Sequence, residues 1–441
     1  MVEQMKPSGI DWIGDIPQSW KLKRIKYLST LKGRIGWQGL TADEYVDEGP
    51  FLITGTDFID GTINWDTCVH ITQERWAEAP EIHIKNGDLL ITKDGTVGKV
   101  AIVSNLEGKA SLNSGVLLIR TFEGFDKRFL YWVLLSDEFW VWFKLKNAGN
   151  STIIHLYQND FAEFCYTFPN VIEQKAIADF LDKQCGKIDG IISDLEKQIE
   201  TLQKYKKSLI LETVTKGLNK NAPMKSSGID WIGDIPSHWD IKRIKDVSKM
   251  QTGTTPPNNE GVNIDGDGVN WFTPGDFIDG SIELLNSEKH VNNETIQREA
   301  IKIYPKHSIL FVGIASIGKL GYFENACYSN QQITAIKPNN VESSKYISYA
   351  LLASMDYTKS NALYTTVPII NNAYLGIIKI PFPEVKEQKE IISYLDKKYS
   401  QIDAIVKDKQ EQLEKIRQHK KSLIYEYVTG KKRVKEAING N

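Results

Sequence analysis

Most of the signatures that announce a secreted protein, a membrane protein or an enzyme are missing from these 441 residues. The four cysteines, Cys68, Cys165, Cys185 and Cys327, are scattered with no C-x-x-C pair, so neither a disulfide framework nor a zinc site is indicated. No apolar run approaches the roughly 20 residues of a membrane span, and the opening MVEQMKPSG lacks the basic-then-apolar pattern of a signal peptide. A cytosolic location is expected. The net charge of −2 exerts no global pull on nucleic acid, so any DNA contact has to come from local basic patches.

Catalytic constellations are equally scarce. The seven histidines show no metal-ligand spacing, no G-x-S-x-G elbow occurs, and the one Pro-Pro, Pro256-Pro257, lies in TGTTPPNN rather than in the Asn/Asp-Pro-Pro-aromatic loop of an amino-methyltransferase. Residues 313–319 fit G-x-x-x-x-G-K, but Leu320 stands where a P-loop needs Ser or Thr to hold magnesium. The matching stretch Lys93 to Lys99 lacks even the first glycine. The expectation is instead a strand–turn–strand in which Gly95, Gly98 and Gly318 permit tight backbone, with Lys99 and Lys319 projecting at matching positions toward phosphate or solvent. The chain is expected to do no chemistry and to hold no cofactor itself.

What the chain does contain is itself, twice. SGIDWIGDIP occupies residues 8–17 and again 227–236. Lys23 to Lys26 is answered by Lys242 to Lys245, and Asp57-Phe58-Ile59-Asp60-Gly61 by Asp276-Phe277-Ile278-Asp279-Gly280. Residues 168–215 and 382–429 share 24 identities in 48 positions. With 41% hydrophobic and 25% charged residues, each unit has the composition and length to bury a full core. The units are alike at their ends and different in their middles.

The ends predict long helices. Pro169 and Pro383 each open a proline-free stretch. From there Leu181, Ile188, Leu195, Leu202 and Leu209 fall at sevens, interleaved with Ala178, Cys185, Ile192, Ile199 and Lys206. The second unit has Leu395, Ile402, Ile416 and Leu423, broken by Lys409, beside Ile392, Tyr399, Val406 and Leu413. Two coiled-coil helices paired antiparallel are expected, with Leu181, Ile188, Ile192, Leu195, Ile199 and Leu202 facing Ile392, Ile402, Val406, Leu413 and Ile416. Lys206 and Lys420, at a positions near the helix ends, can snorkel outward. Trp12 and Trp231, on the repeated decapeptide, are read either as a cap on the helices or as part of a partner surface.

The middles carry short β-branched or alternating runs, such as 87–92, 116–119 and 308–312, between Gly, Asn and Asp turns, and so predict strand-rich α/β domains. The apolar stretch 129–143 is expected to be a buried helix. The overall fold class is therefore mixed α/β, with two strand-rich domains separated and joined by two long antiparallel helices in an internal pseudo-twofold repeat.

On these residues the chain resembles the specificity subunits of type I restriction-modification systems. The resemblance rests on SGIDWIGDIP followed by Trp20 or Trp239, TGTTP at 252–256, the G-K turns at 98–99 and 318–319, TTVPIINN at 365–372, and F-P-x-V-x-E-Q-K opening each long helix. Unit one departs at Leu31 to Gly36 and at Ser151 to His155, as two domains reading different bases would. The resemblance implies target recognition domains at 1–167 and 239–381, spacer helices at 168–217 and 382–430, a linker with the repeated decapeptide at 218–238, and a basic tail at 431–441. It further implies a non-catalytic protein reading a split double-stranded DNA site, one domain per half-site, about one helical turn or roughly 34 Å apart. Two methyltransferase subunits would dock on the helices, and restriction or motor subunits would join through the complex; S-adenosylmethionine, ATP and Mg2+ would belong to those partners. Residue type in turn-rich loops then nominates Lys32, Arg34, Lys93 and Lys99 in the first domain, and Thr254, Lys306, Lys319, Gln331 and Gln332 in the second, as DNA contacts. The lysines suit phosphate, and Gln331 or Gln332 suits adenine. The competing readings are a stand-alone methyltransferase or nuclease, which the missing motifs disfavour, and a coiled-coil scaffold for proteins only.

Overall fold

The computed structural model describes residues 4–34, 40–148, 155–264, 268–299, 301–360 and 369–434. Ile35 and Gly36, residues 151–154, residues 365–368 and the tail beyond Val434 lie outside them. Two compact units emerge, Met1–Leu195 with Glu411–Asn441, and Glu196–Gln410. Each combines one strand-rich domain with the first half of one long helix and the second half of the other, so the units cut across the helices rather than falling at the sequence repeat.

The units are built from the same parts. In unit 1 an antiparallel sheet runs 100–102, 89–92, 116–121, 29–33; in unit 2 its counterpart runs 320–323, 308–312, 333–338, 248–252. The central strands are apolar on both faces because both faces are covered. Leu89, Ile91, Leu117 and Ile119 pack toward the helices, whereas Leu90, Val116 and Leu118 pack toward a second, smaller sheet. In unit 2 Ile309, Phe311 and Ile336 face one way and Leu310, Val312, Ile333 and Ala335 the other. The smaller sheet contains a parallel pair in each unit, 110–112 with 46–53 and 269–272 with 328–329. The repeated decapeptide closes a hairpin, 5–7 with 15–17 and 224–226 with 234–236.

The aromatic stretch at 129–143 is not one helix. It forms Lys127–Leu135 and Asp137–Lys146, broken at Ser136, whose backbone is extended and whose N–H and hydroxyl both donate to Val133 O, at 3.1 and 2.7 Å. Burial is as expected, with Phe129, Leu130, Val133, Phe139 and Phe143 in the core. Glu138, in the first turn of the second helix, is also fully buried. Burial pushes its carboxyl up to about 8, against the Thr167 backbone and the Lys431 charge, which favour the ionised form.

The long helices are Val171–Lys216 and Val385–Val428, of 46 and 44 residues, so the first is about 70 Å long at about 1.5 Å per residue. Their starts share one device. The Gln174 amide donates to Pro169 O at 2.9 Å and the Gln388 amide to Pro383 O at 2.8 Å, closing the first turn from within. Within unit 1 the start of the first helix lies along the end of the second, with Phe180 against Tyr427 at 4.4 Å between rings and Lys420 bonded to Asp189. Within unit 2 the end of the first lies along the start of the second, where Lys206 bonds Asp403 at 2.6 Å. The helices therefore run antiparallel. Leu181, Leu195, Ile402 and Leu413 are buried, and Ile188, Ile192, Ile199, Leu202, Ile392, Val406 and Ile416 half-buried. Ile391, off the heptad rows, is fully buried beside Ile392 because this turn also beds on the domain core.

Each helix pair ends on a tryptophan. Trp239 is fully buried and donates from Nε1 to Glu387 Oε2 at 2.8 Å, with Gly217 at φ +70° against its ring. In unit 1 Trp20 is buried by Gly430, at φ +73°, and Glu173. Burial pushes the Glu173 carboxyl up to about 7, against the Trp20 indole, which favours the ionised form, and the Arg433 guanidinium touches it. Trp12 and Trp231 are half-buried against the same cores. The Trp12 carbonyl accepts from Tyr425 Oη at 2.9 Å, so this part of the decapeptide caps the helix end in unit 1. Among the described residues, no helix is long and apolar enough to cross a membrane.

Candidate nucleic-acid interface

The turn between strands 89–92 and 100–102 gathers three other loops of unit 1. Gly98 N–H donates to Thr92 O and Thr92 N–H to Lys99 O, each at 2.9 Å, which closes the turn. Lys93 N–H donates to Gly115 O at 2.8 Å, bringing in loop 113–115, and Leu156 N–H donates to Lys93 O at 2.9 Å, bringing in 155–158. Asn113 N–H donates to Ile53 O at 2.9 Å, which ties in loop 54–57. Asp57 holds that last loop shut, accepting from Thr54 N–H at 2.7 Å and from the Thr54 and Thr67 hydroxyls at 2.9 Å.

Unit 2 repeats this framework bond for bond. Gly318 N–H donates to Val312 O at 3.1 Å, Val312 N–H to Lys319 O at 2.8 Å, Gly313 N–H to Gln332 O at 2.9 Å, Ile370 N–H to Gly313 O at 2.8 Å and Asn330 N–H to Phe272 O at 3.1 Å. Asp276 takes the place of Asp57, accepting from Thr273 N–H at 2.7 Å and its hydroxyl at 2.9 Å. The turn joins two antiparallel strands, not a strand to a helix, so residues 313–319 lack the setting of a P-loop. Gly98 and Gly318 share φ values of +84° and +82°, and a Cβ at Gly98 would sit 2.5 Å from the Trp140 ring. A side chain at this point is excluded twice, by backbone and by space.

Most of the nominated residues meet here. Lys32 is exposed near the end of strand 29–33, beside Gln158, whose amide donates to Leu31 O at 3.2 Å. Lys93 opens the turn, and Lys99 closes it with its ammonium 3.3 Å from Gly55 O. Lys319 mirrors it, 3.3 Å from Phe277 O. Thr254 is anchored through its N–H to Ser329 O at 3.1 Å, next to Gln331 and Gln332. The Gln331 amide oxygen bonds the Thr255 hydroxyl, and the Gln332 amide oxygen accepts from Asn330 at 2.9 Å, so each amide is already oriented by a neighbour.

Two nominated residues lie elsewhere. Arg34 is buried, donating from Nε to Leu112 O at 2.7 Å and from a terminal nitrogen to Ser111 Oγ at 3.0 Å. Burial, then the Arg75 charge, holds its pKa below the ordinary guanidinium range against the nearby glutamates 78, 81 and 44. Arg34 therefore braces strand 110–112 and is not exposed to a ligand. Lys306 precedes strand 308–312, at the end opposite Gly313, and so stands apart from the cluster.

Asp57 and Asp276, Asn113 and Asn330, Asp94, His155 and Asn372 also belong to the clusters, although residue type and spacing do not nominate them as contacts. The DFIDG repeat was visible, but its aspartates are recognisable as loop braces only once Thr54 and Thr273 fold back onto them. Asn372 ties Thr252 to Thr334 across three segments, at 2.9 and 2.7 Å, and no local spacing announces this. Among the described residues no cluster suited to a metal ion occurs.

A family model for the type I restriction modification DNA specificity domain matches residues 41–201 and 236–415. The chain is 26% identical over 445 residues to the type I restriction enzyme MjaVIII specificity subunit of Methanocaldococcus jannaschii, covering 95% of this chain and 94% of that one. It is 23% identical over 336 residues to the EcoBI specificity subunit of Escherichia coli, covering 73% and 68%. A chain from a solved structure of a type I R-M system shares the fold with a TM-score of 0.71 at 17% identity, covering 94% of this chain and 98% of that chain. Two copies of one loop framework, carried by two domains on a pair of antiparallel helices, thus coincide with a family match over most of the chain: it belongs to the type I restriction-modification specificity subunits, which direct the complex to its DNA sequence without being its catalyst.

Proposed function

We propose that each loop cluster reads one half of a bipartite sequence in duplex DNA. The observation that carries this reading is the conserved framework with altered contents: the same backbone bonds hold both clusters, but Lys93, Asp94 and His155 in one stand where Gly313, Ile314 and Ile369 stand in the other. A frame fixed by backbone bonds presents side chains at constant positions, so changing them changes the base edges they match. Lys99 and Lys319, common to both, suit the phosphate backbone, which is the same at every site.

The long helices then serve as the scaffold for two methyltransferase subunits, with restriction subunits joining through the complex. S-adenosylmethionine, ATP and Mg2+ belong to those partners. The target base has to leave the stack to be methylated, and that step falls to the methyltransferases.

Mapping methylated sites in cells carrying the complete system tests this reading. Replacing residues 21–165 with the corresponding domain of another specificity subunit should change one half of the methylated sequence and leave the other half and complex assembly intact. A swap that altered both halves, or methylation by this chain alone, would overturn it.

A further inference from the structure

The two clusters diverge at one apposed pair. In unit 1 the His155 imidazole meets the Asp94 carboxylate through Nδ1, and the Tyr157 ring lies 4.5 Å from the imidazole. In unit 2 Ile369 bridges to Ile314. The correspondence is fixed by backbone: Leu156 N–H bonds Lys93 O, and Ile370 N–H bonds Gly313 O, so His155 matches Ile369 and Asp94 matches Ile314.

Neither pair is core. The Asp94 and His155 side chains are 37% and 29% exposed, and Ile369 is 45% exposed. An isolated exposed isoleucine is ordinary, but here an apolar pair faces solvent where the sister domain keeps an ionisable one. A carboxylate is also the wrong group to offer a phosphate, so the Asp94 pair suits a base edge better than the DNA backbone.

The chemistry of the pairs separates the bases. In the tautomer whose Nδ1–H donates a hydrogen bond to Asp94 Oδ1, Nε2 of the ring is an acceptor, and Asp94 Oδ2 is another. Either acceptor matches an exocyclic amino group, adenine N6 or cytosine N4, whose one hydrogen outside the Watson–Crick pair faces the major groove. The isoleucine pair can accept nothing, and its methyl groups match the thymine C5-methyl.

We propose that Asp94 with His155, and Ile314 with Ile369, occupy a base-discriminating position shared by the two domains, the polar pair selecting an amino-bearing base and the apolar pair a thymine. This rests on the reading of the loop clusters as DNA interfaces. The 21–165 domain swap tests that reading by itself, so the two can fail separately.

The test is methylation mapping of D94I/H155I in the complete system. Discrimination should relax by about ten-fold or more at one base of the first half-site, as expected for loss of a good base contact. The second half-site should keep its sequence. Should D94I/H155I fail to assemble, D94N and H155Q, which keep side-chain size, are read the same way, and I314D/I369H should weaken one thymine preference in the second half-site. The proposal is overturned if the swap moves the half-site while these variants leave every base unchanged, or if they weaken methylation equally at all sequences.

Discussion

The Lys206 ammonium lies 2.6 Å from Asp403 Oδ1, and 214 residues on the same bond forms with the roles exchanged between helices, Lys420 to Asp189. Lys206 also sits 4.2 Å above the Tyr399 ring. A lysine at an a position does not merely snorkel here; it finds the aspartate that antiparallel pairing brings opposite. Equivalent ion pairs thus join the two helices in the same register in each unit.

Reversing one charge should expose this. Asp403→Lys should destabilise unit 2 by about 1 kcal/mol, and adding Lys206→Asp should restore part of the loss, as read in a double-mutant cycle by urea denaturation. Asp403 is half-exposed, so salt should shrink the coupling. Coupling that is absent at low salt would show that the seam alone sets the register.

Leu181 and Leu395 are fully buried, and truncating either to alanine should cost about 2–5 kcal/mol. The half-buried Ile188 should lose less. Equal losses at all three would mean that burial does not rank the seam.

Glu138 predicts a pH dependence of stability. Its folded pKa, about 8, lies above the unfolded value of about 4.3, so the folded state keeps a proton that the unfolded state has lost between those limits. The contribution is fully present below about 4.3 and is lost as pH rises toward about 8. Glu138→Gln should melt higher than the parent at pH 8, and the difference should vanish near pH 4. A difference independent of pH would assign the effect to packing.

Lys99→Ala and Lys319→Ala should each weaken DNA binding by the assembled complex about uniformly across sequences and reduce the salt slope by about 1. Unchanged affinity and slope would remove both lysines from the phosphate contact.

Gly98→Ala should disable the first cluster in another way, because the new Cβ meets Trp140 and the backbone sits at φ +84°. The expected readout is lost selectivity for one half-site with the other retained.

Much of this architecture is written locally. Pro169 and Pro383, the heptad rows and the repeated E-Q pair are short-range signals, and they determine two long helices because helical periodicity needs nothing distant to be read. The decapeptide repeat likewise determines the duplication. The apolar runs at 89–92 and 308–312 are legible as strands, since covering both faces leaves no polar alternation to interpret.

The interface is another matter. Lys99 and Lys319 could be nominated from residue type, but so could Arg34, which the fold buries on Leu112, and Lys306, which it leaves at the wrong end of a strand. The polar run Ser136-Asp137-Glu138 breaks the apolar stretch 129–143 locally, but that it ends one helix and starts another is settled by the extended backbone at Ser136. Asp94 and His155 lie 61 positions apart in sequence and meet only because Leu156 and Lys93 share a backbone bond. The sequence by itself determined the duplicated units, the long helices and the family; tertiary structure decided which side chains converge on each cluster, because hydrogen bonds between loops far apart in the chain leave no periodicity in the residues that make them.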